Sequence, residues 1–147
     1  MKWVNTLITI LFVAAGTLIA QPPGSGWNLL FNDEFDSTAL DRSKWTPEYP
    51  WGREHNYNAY LSPENVGVEN GLLLLKAEKK TTRGYPYTSG MISSHCKFES
   101  TFGYYEARLK MPAGKQTENR GWWNAWWMAS SESWPPEIDI CEYFKNG

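Results

Sequence analysis

Apolar and polar residues alternate with a period of two along much of this chain, and helical periodicity is scarce. In Tyr104-Tyr105-Glu106-Ala107-Arg108-Leu109-Lys110-Met111, the residues Tyr105, Ala107, Leu109 and Met111 share one face. Glu106, Arg108 and Lys110 share the other, as a half-buried strand requires, and Pro112-Ala113-Gly114 ends the run. Residues 66–77 read as strand, Asn70-Gly71 turn, strand. Asn-Gly is the strongest short hairpin signal, because both turn residues must adopt positive φ. Residues 91–94, 103–111 and 122–129 are further strand candidates, and residues 29–35 form a short apolar-to-acidic segment. Residues 84–90 are turn-rich. Residues 44–62, rich in Tyr, Trp, Asn and Pro, read as loop with short strands. Short strands punctuated by Gly, Pro and Asn predict an all-β antiparallel sandwich.

The first 20 residues are a separate object. Lys2 precedes an apolar run over residues 7–20, which ends on the small residue Ala20. The run is short for a bilayer span of ~20 residues, so it reads as a secretory signal cleaved after Ala20. Residues 21–26 form a lead-in, and the remaining chain is enough for one domain. A secreted protein, extracellular or periplasmic, is expected, with no membrane attachment after cleavage. Net charge is −2 and no basic stripe appears, so nucleic acid is not expected as a partner. Two cysteines, Cys96 and Cys141, could pair in an exported chain or remain small buried thiols.

The candidate chemistry lies in Glu137-Ile138-Asp139-Ile140-Cys141-Glu142. On a strand, Glu137 and Asp139 point one way, and Ile138 and Ile140 point the other way, into a core. Regular alternation would then bring Cys141, not Glu142, to the acidic face. A one-residue β-bulge resets the count and returns Glu142 to the side of Glu137. The competing reading is a helix: Pro135-Pro136-Glu137 is an acceptable start and Asn146-Gly147 an acceptable end. There Glu137 and Asp139 would diverge by about 200° and be ordinary solvated charges.

Nine of the residues are Trp. In Trp122-Trp123-Asn124-Ala125-Trp126-Trp127-Met128, a strand puts Trp123, Ala125 and Trp127 on one face. Core packing accounts for one set of indoles. The other, Trp123 and Trp127, suits stacking beneath a sugar chain, and Trp134 could wall the same cleft.

Together these segments resemble glycoside hydrolase family 16. Glu137-Ile138-Asp139-Ile140-Cys141-Glu142 fits the family's bulged E-x-D-x-x-E signature. Phe31-Asn32-Asp33-Glu34-Phe35, Pro63-Glu64-Asn65-Val66, Tyr87-Thr88-Ser89-Gly90-Met91-Ile92 and the run from Phe102 through Pro112 follow in the family's order. Trp123-Asn124-Ala125-Trp126-Trp127-Met128 resembles the family's W-P-A-F-W-L, with Asn124 in place of Pro and Trp126 in place of Phe. The resemblance implies a β-jelly-roll of two antiparallel sheets with a cleft across the concave one. It also implies that residues 27–147 are the N-terminal portion of the catalytic domain, expected to fold poorly and be inactive as written.

By the same resemblance, Glu137 is the nucleophile, Glu142 the general acid and then base, and Asp139 the group between them. The implied activity is endo-acting, retaining hydrolysis of a β-1,3- or β-1,4-linked polysaccharide by a monomer. No cofactor is required; a structural calcium is compatible with the family, but its ligands are unassigned. Mutual repulsion is expected to favour a protonated Glu142, while Glu137 must stay ionised. Asp33 and Glu34 read as a strand-edge acidic pair. A transglycosylase, a non-catalytic carbohydrate-binding sandwich and an adhesion sandwich with its Trp residues as core remain open.

Overall fold

The computed structural model describes residues 22–112 and 121–144. The signal-peptide reading of residues 1–20 lies outside the described residues. The regular structure is all-β apart from one 3-10 turn, Pro63–Asn65. In chain order the strands are β1 (Glu54–His55), β2 (Ala59–Leu61), β3 (Val66–Glu69), β4 (Leu72–Leu75), β5 (Ala77–Glu78), β6 (Tyr87–Ser89), β7 (Trp123–Ala129) and β8 (Glu137–Phe144).

Strands β1, β2, β6 and β5 form one sheet in that order, β3 and β4 pair with each other, and β7 pairs with β8. All of these pairings are antiparallel except β2 with β6, which run parallel with Leu61 opposite Ser89. A parallel pair needs a long crossover, and here residues 62–86 provide it, including the β3–β4 hairpin. That hairpin turns where the sequence indicates: Asn70 and Gly71 have φ of 52° and 72°, and Glu69 faces Leu72 across the turn.

The tightest packing lies where β2, β6 and the 3-10 turn meet. Leu61, Asn65 and Thr88 are buried there. Asn65 accepts the Lys76 amide at its carbonyl (2.9 Å) and donates its side-chain amide to Glu78 (3.1 Å). Gly90 closes the arrangement, with its own amide bonded to the Lys76 carbonyl (2.7 Å). A Cβ on Gly90 would stand 2.3 Å from the Asn65 carbonyl oxygen. Two of the sequence blocks, Pro63-Glu64-Asn65-Val66 and Tyr87 through Ile92, are therefore halves of one contact.

Three expectations change. Residues 103–111 form no strand: among the described residues no ladder pairs with them, and Leu109 remains exposed. Alternation specifies which side chains share a face but supplies no hydrogen-bonding neighbour. Residues 91–94 reduce to a single bridge, between Ser93 and Thr46. Asp33 is not at a strand edge. It receives the Phe35 amide (2.9 Å) and the Trp45 indole N–H (2.8 Å), tying residues 31–35 to Trp45. Phe31 stacks on Phe98 and meets Trp45 edge-on, extending that tie into a small aromatic cluster.

Gly90→Ala is expected to lower the denaturant midpoint of unfolding, by about 1–3 kcal/mol of stability, since the obstructing atom is backbone and cannot rotate away. Gly67→Ala, whose Cβ would meet only the Leu74 Cβ at 3.9 Å, should leave stability within about 1 kcal/mol.

Candidate active site

The register of β7 on β8 places the acids. Ala129 pairs with Glu137, Met128 with Ile138 and Trp127 with Asp139; the count then slips, and Trp126 pairs with Cys141 and Ala125 with Glu142. Ile140 is the extra residue, so the chain makes the one-residue bulge that the acid spacing requires. Paired residues share a face. Glu137, Asp139 and Glu142 therefore project to one side with Trp123, Ala125 and Trp127, and Cys141 is turned to the other side with Trp126. The helical alternative for this segment is excluded.

Two indoles bind the outer acids. Trp123 Nε1–H donates to Glu142 Oε1, and Trp134 Nε1–H donates to Glu137 Oε2 at 3.1 Å. All three Trp residues singled out from the sequence stand at this site: Trp123 and Trp134 as hydrogen-bond donors, Trp127 as the cross-strand partner of Asp139. The raised carboxyl belongs to Asp139. Its pKa lies above the ordinary aspartate value, first through partial desolvation and then through the charges of Glu137 and Glu142. Both outer acids thus act as charged neighbours of the central one.

A second wall comes from residues 49–55, within the stretch that the sequence reads as loop with short strands. Tyr49 and Gly52 exchange both backbone hydrogen bonds at 3.1 Å. The tight turn this makes holds Gly52 at φ 121°, a conformation side chains resist. The turn stacks Tyr49 on Trp51, with ring centres 4.8 Å apart, and brings both rings against Trp127. His55 meets Trp123 edge-on at 5.6 Å, and its Nδ1 lies 3.1 Å from the Tyr49 hydroxyl.

Burial lowers the His55 pKa, which favours the neutral ring and leaves Nδ1 free to accept the Tyr49 O–H. Burial, and then the nearby charge of Glu137, raises the Tyr49 pKa. The only hint of this wall in the sequence is the aromatic density of residues 44–62; spacing alone does not reveal which rings meet the acids.

The opposite face of the ribbon departs from expectation. Ile138 and Ile140 are 59 % and 40 % exposed, where alternation predicted a core. Alternation directs them away from the acids, but among the described residues no layer covers them. Beyond Trp51, an open hollow of about 570 Å³ is lined by Arg53, Glu54, Tyr57, Tyr60 and Arg83. None of the three acids lines it. Its cations are engaged: Arg53 pairs with Glu48, and Arg83 lies over the Tyr60 ring. Cys96 and Cys141 are both free thiols.

An all-β frame here presents three carboxylates from a bulged strand, with indoles beside them. The chain belongs to glycosyl hydrolases family 16, whose family model matches residues 53–146. It is 30 % identical over 138 residues to an endo-1,3-1,4-beta-glycanase, EglC, of Rhizobium meliloti (strain 1021), covering 76 % of this chain and 29 % of that protein. It is 35 % identical over 130 residues to a beta-glucanase of Rhodothermus marinus, covering 80 % and 44 %. The fold superposes on the X-ray structure of the laminarinase from Rhodothermus marinus with a TM-score of 0.65 at 32 % identity, covering 80 % of this chain and 50 % of that one. The chain thus spans half or less of the length of these relatives.

Asp139 is expected to release its proton at a higher pH than an ordinary aspartate in a carboxyl-resolved NMR titration. Glu137→Gln and Glu142→Gln each remove a negative neighbour and should each lower that midpoint. Neither should bring it back to 3.8, because desolvation is the larger cause.

Proposed function

We propose that this chain carries the catalytic ribbon of a secreted, endo-acting, retaining β-glycanase that hydrolyses β-1,3- or β-1,4-linked polysaccharide. The observation that carries this reading is the bulge at Ile140, which sets Glu137, Asp139 and Glu142 on one face. Relatives named an endo-1,3-1,4-beta-glycanase, a beta-glucanase and a laminarinase support the substrate class. The activity belongs to the whole protein, of which this chain supplies the acids.

In the first step a Glu137 carboxylate oxygen attacks the anomeric carbon as the glycosidic C–O bond breaks. Glu142 gives its proton to the departing oxygen. The result is a glycosyl ester on Glu137 and an ionised Glu142. In the second step Glu142 takes a proton from water, whose oxygen attacks the same carbon and releases Glu137. Two inversions give net retention. Asp139, lying between them with a raised pKa, holds a proton more readily than an ordinary aspartate, which limits its repulsion with whichever glutamate is ionised.

The indole of Trp134 orients Glu137, and that of Trp123 orients Glu142. Tyr49, Trp51 and Trp127 present rings on which sugar faces can stack. A monomer is expected to suffice, since all three acids come from one strand.

The test uses the full-length enzyme on laminarin and mixed-linkage glucan. Glu137→Gln should reduce turnover at least about 10³-fold while leaving glycan binding largely intact. Glu142→Gln should cost about 10²–10⁴-fold on the polysaccharide, and much less on an aryl glycoside whose leaving group needs no proton. Unchanged behaviour of Glu137→Gln would favour a carbohydrate-binding sandwich. Equal losses of Glu142→Gln on both substrates would remove it from the acid role.

A further inference from the structure

Away from the acidic ribbon, the turn that follows the Ser93–Thr46 bridge gathers three side chains with different donor atoms. His95, Cys96 and Glu99 offer an imidazole nitrogen, a thiol sulfur and a carboxylate oxygen, all within 4.8 Å of one another. We propose that His95, Cys96 and Glu99 form a binding site for a thiophilic divalent transition metal of the zinc class, with the remaining coordination position open to water.

Geometry supports the set. Donor atoms around one tetrahedral zinc stand about 3.3–3.7 Å apart, given bonds of about 2.0–2.3 Å. His95 Nδ1 and Glu99 Oε1 are already 3.7 Å apart. Cys96 is exposed, so its side chain can swing inward without disturbing a packed core.

The turn is held at both ends. Thr46 and Ser93 exchange both backbone hydrogen bonds, at 2.8 and 2.7 Å. Phe98 stacks on Phe31 with ring centres 4.7 Å apart. Between these anchors the Lys97 and Phe98 amides both bond to the Ser94 carbonyl, and the His95 amide bonds to Ser93 Oγ. The donors therefore sit on a short segment that is already placed, which reduces the ordering cost of closing on an ion.

Donor chemistry chooses the ion. Thiolate and imidazole favour zinc, cobalt or copper over calcium or magnesium, which take oxygen ligands. The set is correspondingly a poor match for a structural calcium. No hydrogen bond or ion pair among the described residues joins these three donors to Glu137, Asp139 or Glu142, and the site is assigned a role in stability rather than in bond cleavage. The rival reading is a metal-free turn in which Glu99 merely accepts the Cys96 amide (3.4 Å) and attracts a protonated His95.

Cobalt(II) titration of the metal-stripped full chain distinguishes the two, followed by thiolate-to-cobalt charge-transfer absorption. The expected result is a saturable band that zinc abolishes by displacement and that millimolar calcium leaves unchanged. Cys96→Ser should eliminate the band, Glu99→Gln should weaken cobalt binding by about tenfold or more, and Cys141→Ser should leave both unaffected. Absence of the band, its survival in Cys96→Ser, or its loss in Cys141→Ser would overturn the assignment.

Discussion

The single inserted residue in β8 is the constraint on which the acidic site depends. Without it, strand alternation would set Cys141 beside Glu137 and Asp139 and send Glu142 to the opposite face with Trp126. With it, the pairing moves from Trp127–Asp139 directly to Trp126–Cys141, and Glu142 returns opposite Ala125. Placing three carboxylates side by side has an electrostatic cost. The surroundings answer it in two ways: indole donors meet the outer pair, and the central group takes up a raised pKa.

The ribbon takes its definition from two sources far apart in sequence. Its own partner strand supplies Trp123 and Trp127. The tight turn at residues 49–52 supplies Tyr49 and Trp51, and His55 follows from β1. Aromatic rings suit this junction because they bury large area and still direct polar atoms, as the Tyr49 hydroxyl does toward His55 and the indoles do toward the glutamates. The four-stranded sheet has a different anchor. There the close approach of Gly90 to the Asn65 carbonyl joins β6 to the 3-10 turn, and no side chain fits between.

Local signals were legible where the chemistry is local. Asn70-Gly71 specified its hairpin because positive φ at both positions leaves few alternatives. The alternation of acids and isoleucines over residues 137–140 favoured a strand over the helix that Pro135-Pro136-Glu137 would also allow, and the position of Glu142 implied the bulge. Parity put Trp123 and Trp127 on a common face, and the register of β7 on β8 made it the acidic one. What the sequence could not show was neighbourhood. Residues 103–111 alternate well but lack a ladder partner, and Ile138 and Ile140 point away from the acids with nothing described above them. Tyr49 and His55 reach the site through a turn whose geometry depends on Gly52, a feature that hydrophobic periodicity does not encode. The parallel pairing of β2 with β6 is likewise a long-range property, invisible in either segment alone.

Among the described residues the β7–β8 pair shares no backbone ladder with the four-stranded sheet, and ring contacts through Trp123 and Trp127 tie it to residues 49–55. Backbone ladders lock register, whereas stacked and tilted rings tolerate small sliding motions at little cost. Ring contacts join the acid-bearing pair to residues 49–55, so the register that groups the three acids is set within β7 and β8 themselves.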